Sequence, residues 1–157
     1  EEAFRWLFER LSDGVFRYIA SRISSREEAL DLTQEVFIDL WKALPKFQYR
    51  SDREFYSFVF TIARKKIAKW HRNQRKEVTI EESYVEENYE LPYKDYRELW
   101  QWIAKLKPKY QDLLRLRYVS DLSFAEVAAA LGIREGTAKV WHHRAIKKLQ
   151  EIAQQSL

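Results

Sequence analysis

Cysteine is absent, which excludes disulfides and cysteine-ligated zinc modules. Glycine and proline occur only three times each in 157 residues, so helices joined by short turns are expected rather than a many-stranded β fold. No apolar run reaches the roughly 20 residues needed to span a bilayer, and no signal peptide is visible; no membrane insertion and a cytoplasmic location are the expectations. Methionine is missing even from position 1, so the chain is read as beginning inside the native protein. With only Gly14, Gly132 and Gly136 available, neither a P-loop nor a G-x-G-x-x-G turn can be built. His71, His142 and His143 lack suitably spaced carboxylates or thiols, which speaks against a metal site. No nucleophile-base pair stands out, so no catalytic residue, cofactor or enzymatic activity is expected.

Aromatic residues are plentiful, with six Trp, nine Tyr and nine Phe, enough to fill helical cores. The net charge of +4 hides a strong segregation. Residues 64–76 (RKKIAKWHRNQRK) hold seven Lys or Arg and no acid, whereas residues 77–98 hold eight Asp or Glu against Lys94 and Arg97. Charge sorted this way suits a polyanion-binding surface beside a segment that avoids or imitates polyanions.

Ser123 to Leu149 (SFAEVAAALGIREGTAKVWHHRAIKKL) contains two short helical patterns around a tight break. Ser123 and Glu126 form a capping box, Phe124, Val127, Ala128 and Leu131 share one face, and Gly132 suits a left-handed helix end, with Ile133 at the corner. A second helix from about Glu135 turns Ala138, Trp141, Ala145, Leu149 and Ile152 inward. The two make a helix-turn-helix whose basic second helix fits a DNA major groove. An ordinary helical hairpin with a solvated basic face is the bland alternative.

Upstream, Phe4, Leu7, Phe8, Leu11, Val15, Phe16 and Ile19 recur at helical spacing from about Ala3 to Ser21, where Gly14 is a candidate bend or break. A capping box at Ser25 and Glu28 opens a helix that Pro45 stops, with Leu30, Val36, Phe37, Leu40, Trp41 and Leu44 as its inner stripe. Ser51 and Glu54 open a third helix carrying Phe55, Phe58, Val59, Ile62 and Ile67, which becomes basic through Lys76. Helix resumes near Lys94, with Tyr96, Leu99, Trp100 and Ile103 inward, and again from Pro108 to about Val119, with Tyr110, Leu113, Leu114 and Tyr118 as its apolar side. The expectation is an all-α chain of two small helical domains, 1–76 and 94–157, joined by an acidic linker over 77–93; the second is a four-helix domain containing the helix-turn-helix.

Three stretches carry a resemblance to the extracytoplasmic-function group of bacterial RNA polymerase sigma factors. They are DLTQEVFIDLWKALPKF (31–47), FYSFVFTIARKKIAKWHR (55–72) and the segment from Leu106 to Leu149. The resemblance implies that Asp31, Leu32, Gln34, Glu35 and Ile38 dock on the clamp helices of the polymerase's largest subunit. It implies that Gln48, Tyr49, Arg50, Ser51, Asp52 and Arg53 form a loop receiving a base flipped from the minus-ten element. Arg64, Lys65, Lys66, Lys69 and Arg72 would follow the opened strand, with Arg75 and Lys76 behind them and Trp70 or His71 able to stack. Arg134, Thr137, Lys139, His143, Arg144 and Lys147, with Glu135 and Val140, would approach the minus-thirty-five element. The linker would thread the RNA exit path, or serve only as a solubilising tether; other faces of the second domain would meet the polymerase flap.

Departures from the family pattern are Phe58 where Trp is common, Lys65 and Lys69 where Asn and Asp are common, Arg134 in place of a capping Ser or Thr, and His142 in place of Leu. The implied function is promoter recognition and melting on behalf of core RNA polymerase, with promoter DNA and an anti-sigma factor as further expected partners. A stand-alone helix-turn-helix regulator of duplex DNA is the alternative. An interaction protein that occupies polymerase without initiating, or a plain structural bundle, lies further off.

Overall fold

The computed structural model describes residues 2–77 and 97–156. The expected linker and the inward placement of Tyr96 therefore lie outside the described residues, apart from Glu77. All regular structure in the described residues is helical: α1 (Glu2–Ala20), α2 (Arg26–Ala43), α3 (Asp52–Glu77), α4 (Arg97–Ala104), α5 (Pro108–Leu114), α6 (Phe124–Leu131) and α7 (Glu135–Ser156).

Local sequence explains most boundaries. Ser25 caps α2 by accepting from the Glu28 amide at 3.3 Å. The reciprocal half of that expected box is not made, because the Glu28 carboxylate instead accepts from the Trp70 indole at 3.1 Å and ties α2 to α3. Pro45 allows only one more turn, a 3₁₀ turn over Leu44–Lys46. The expected helix from Pro108 to Val119 is α-helical only to Leu114, then widens into a π turn over Arg115–Val119. Asp121, at φ 58°, reverses the chain into α6.

α1, α2 and α3 pack into one bundle whose core includes Val15, Ile19, Val36, Leu40, Val59 and Ile67. Leu113, Leu116, Val127, Ala138 and Ala145 fill the second half. The two cores are continuous, because α3 lies along α6 and α1 meets the π turn. Four residues expected inside are exposed: Phe8, Leu30, Trp41 and Tyr118, the last lying on the π turn. The buried stripe of α2 is Ala29, Thr33, Val36, Phe37 and Leu40; at about 100° per residue Leu30 and Trp41 fall on its flank. Phe8 still covers Phe37, ring edge to face at 4.7 Å.

Gly14 does not break α1, which runs through it. It joins the two halves: its carbonyl accepts from the Ser120 hydroxyl at 2.8 Å, and a Cβ there would meet the Ser120 backbone oxygen at 3.4 Å, an ordinary contact.

Candidate nucleic-acid and polymerase interfaces

α2 presents two faces. Asp31, Gln34, Glu35 and Ile38 point to solvent, with Ile38 52% exposed, while Leu32 is half-buried against the core. An acidic and amide surface with one apolar knob is the result. Glu35 is not wholly free: Lys66 reaches across from α3 to its carboxylate at 3.4 Å and to Asp39 at 2.9 Å. The hydrogen bond to Asp39 raises the Lys66 pKa above the usual lysine value, against an opposing effect of burial.

The loop after α2 is anchored by Phe47, whose ring stacks on Phe58 at 4.9 Å and meets Phe55 edge-on at 5.8 Å. Phe58 thus holds the base of the loop from a half-buried position. Gln48, Tyr49 and Arg50 are exposed above it. The Tyr49 hydroxyl donates to the Asp52 carboxylate, and the Ser51 hydroxyl caps α3 by accepting from the Glu54 amide at 3.2 Å. Tyr49 and Asp52 line one side of an apolar groove of about 370 Å³; Trp6, Leu7 and Arg10 of α1 line the other. Trp6 and Arg10 were not among the residues singled out from the sequence. Their mutual placement, guanidinium 5.2 Å from the indole, has an i,i+4 signature that could have flagged them.

The basic run on α3 divides by direction. Lys65, Lys69 and Arg72 are exposed and border a shallow groove with Ile62 and Ala68. Lys66 faces α2 instead. Arg64 turns to the second half of the chain, where its Nε lies 3.0 Å from Asp112. Trp70 is half-buried and committed to Glu28, and His71 sits edge-on to it at 5.1 Å. Burial, then the Arg22 and Arg75 cations, push the His71 pKa below the usual imidazole value.

In the helix-turn-helix the Ser123–Glu126 box is complete, at 3.2 and 3.1 Å. Gly132 adopts φ 69°, and the Ile133 amide bonds back to Ala128 at 2.9 Å, the paired closure of a Schellman end. Arg134, just before α7, and Lys139, Val140, His143, Arg144 and Lys147 along it are exposed, and Thr137 is half-buried. Glu135 lies 3.6 Å from Lys139 and 3.3 Å from Arg53, so the first turn of α3 touches the start of this helix. His142 bonds Tyr118 and packs edge-on to Phe124 at 5.1 Å, while Trp141 packs against Tyr110. Burial lowers the His142 pKa, with Arg117 adding to it.

Among the described residues no group of three or more His, Cys, Asp or Glu could hold a metal ion, and no helix is long and apolar enough to cross a membrane.

Residues 7–77 match the sigma-70 region 2 family, and residues 96–149 match sigma-70 region 4. The chain is 32% identical over 160 residues to the ECF RNA polymerase sigma factor BldN of Streptomyces coelicolor, an alignment covering 96% of this chain and 60% of that protein. It is 28% identical to the ECF RNA polymerase sigma factor SigD of Mycobacterium tuberculosis, covering 95% of this chain and 76% of that one. Its fold is similar to that of the sigma factor RpoE of Bartonella quintana, solved with the anti-sigma factor NepR, at a TM-score of 0.70 over 98% of each chain and 22% identity.

Proposed function

Because this chain belongs to the extracytoplasmic-function group of the sigma-70 family, we propose that it binds core RNA polymerase, addresses it to particular promoters and assists their opening. It performs no bond chemistry of its own on this reading; the polymerase supplies the active site, and the protein works in the cytoplasm. The observation that carries the proposal is the succession of a region 2 match and a region 4 match in one chain. A stand-alone regulator would have no use for the 7–77 half.

The division into a domain over 1–76, a linker over 77–93 and a domain over 94–157 is supported by where those two matches begin and end. Asp31, Gln34, Glu35 and Ile38 are the proposed polymerase-facing residues, with Leu32 behind them. An acidic face around an apolar knob complements a basic helical partner. Gln48 to Arg53 are the proposed base-receiving loop. Extracting a base costs a few kcal/mol, which stacking on exposed aromatics such as Tyr49 offsets. Lys65, Lys69 and Arg72 form the proposed strand track, which Arg64 and Lys66 join only by leaving their carboxylates. Arg134, Thr137, Lys139, His143, Arg144 and Lys147 are the proposed duplex contacts on α7. Anti-sigma factors in the company of structural neighbours make such a protein a further proposed partner.

The test is run-off transcription from a promoter library with core polymerase of the same organism. Discrete new start sites that require both components are expected. Failure of the chain to associate with core, or tight sequence-specific duplex binding without it, overturns the proposal.

A further inference from the structure

Between α3 and α5 lies a cleft of about 700 Å³ lined by five cationic side chains: Arg22, Arg64, Lys65, Lys109 and Arg115. They come from both halves of the chain. Among the described residues one carboxylate lines the cleft, Asp112, which is 6% exposed. It is already engaged by the Tyr18 hydroxyl, by Arg64 at 3.0 Å and by Arg22 at 3.5 Å. Its charge therefore balances part of two guanidiniums, and no other carboxylate among the described residues lines the cleft.

Arg115 is the informative member. Its Nε is shielded from solvent and has no hydrogen-bond partner among the described residues; its guanidinium lies 5.7 Å from the Trp100 ring and makes one long bond, 3.4 Å from Nη1 to Gln111. Burial, followed by the nearby Arg22 cation, lowers its pKa, so the fold holds this charge at a cost. Lys65 is exposed at the rim and pairs with no carboxylate among the described residues. Lys109 also lines the cleft, its ammonium 4.6 Å from the Trp141 ring and 5.1 Å from the Tyr110 ring.

We infer that this cleft is a binding site for a condensed phosphate: an inorganic pyro- or tripolyphosphate, or the phosphate tail of a nucleotide. Three guanidiniums lining one opening offer forked donors to phosphoryl oxygens, and the ammonium groups of Lys65 and Lys109 add charge. A single carboxylate or monophosphate would leave much of the excess charge uncompensated, whereas a chain of phosphoryl groups matches it. Because Arg22, Arg64 and Lys65 belong to one half and Lys109 and Arg115 to the other, the ligand holds the halves together.

Isothermal titration of the full chain with tripolyphosphate at low salt tests it. Parallel titrations use ATP and GTP, to separate a bare phosphate ligand from a nucleotide. One-to-one binding is expected, weakened about tenfold or more in Arg115→Gln and in the double variant Lys65→Gln, Lys109→Gln. The pair Lys69→Gln, Arg72→Gln, on the same helix but outside the cleft, is expected to change affinity by less than about twofold. A rise in the urea midpoint with ligand concentration should accompany binding in the unaltered chain. Should Arg115→Gln fail to fold, the exposed lysine pair carries the comparison. Absence of saturable binding, or equal weakening by the Lys69 and Arg72 pair, overturns the inference and leaves only diffuse attraction to α3.

Discussion

At the scale of single residues, Gly132 and the two half-buried histidines carry the clearest consequences. Gly132 sits at φ 69° with nothing within 4 Å of where a Cβ would project. Its replacement by alanine therefore costs only the conformational penalty, about 1–2 kcal/mol, with no steric contribution. Urea unfolding should show that loss for Gly132→Ala and a smaller one for Gly132→Asn, since asparagine tolerates the left-handed region. Equal stability of all three would mean the helix ends differently. His71 and His142 are both held below the ordinary imidazole value of 6.5, chiefly by burial. Each takes a proton less readily folded than unfolded. Their stabilisation is complete above pH 6.5 and declines as the pH falls below it, where the unfolded chain protonates first. Denaturation midpoints measured downward from neutral pH should fall, and the fall should shrink in His71→Gln and His142→Gln.

At the scale of elements, the helices were legible because their apolar residues repeat at helical spacing and their caps are chemical signatures. The Ser123 box and Gly132 made α6 and its end readable to the residue. Periodicity was less able to set the width of a buried stripe. Leu30 and Trp41 lie beside the stripe of α2, and only packing against a neighbour decides whether a flank is covered. The same limit applied to charge. Seven cations in residues 64–76 announced a polyanion surface, but not that Arg64 and Lys66 would pair with carboxylates on other helices. This division gives a prediction for α3 in the promoter complex with core polymerase. Lys69→Gln and Arg72→Gln should each weaken open-complex formation and reduce its salt dependence by roughly 0.7 in log-log slope, the value for one single-strand phosphate contact. Lys66→Gln should change that slope less, because its charge is already neutralised by Glu35 and Asp39. Equal slopes for all three would show that the strand recruits Lys66 away from α2.

At the scale of the whole molecule, the two halves meet through contacts that leave no periodic trace in the sequence. Tyr18 and Asp112 are separated by 94 residues, and Ser120 and Gly14 by 106, so nothing local to either partner announces the pair. The joint has an apolar part, where α3 lies on α6, and a polar part centred on one buried carboxylate. Removing the charge of Asp112 by substitution with asparagine keeps an acceptor for the Tyr18 hydroxyl but leaves Arg22 and Arg64 without their anion. Breaking a fully buried ion pair costs about 3–5 kcal/mol, but both guanidiniums here are partly solvated, so a loss of about 1–2 kcal/mol is the appropriate scale. That loss should fall on the joint before it falls on either bundle, since each half retains its own core. Asp112→Asn is therefore expected to increase the radius of gyration in X-ray scattering while helical content by circular dichroism stays unchanged. Arg64, released, becomes available beside Lys65 and Lys69, so single-stranded DNA should bind this variant more tightly than the unaltered chain, with a steeper salt dependence. An unchanged radius together with unchanged DNA affinity would show that the apolar contact of α3 with α6 holds the halves without help from the carboxylate.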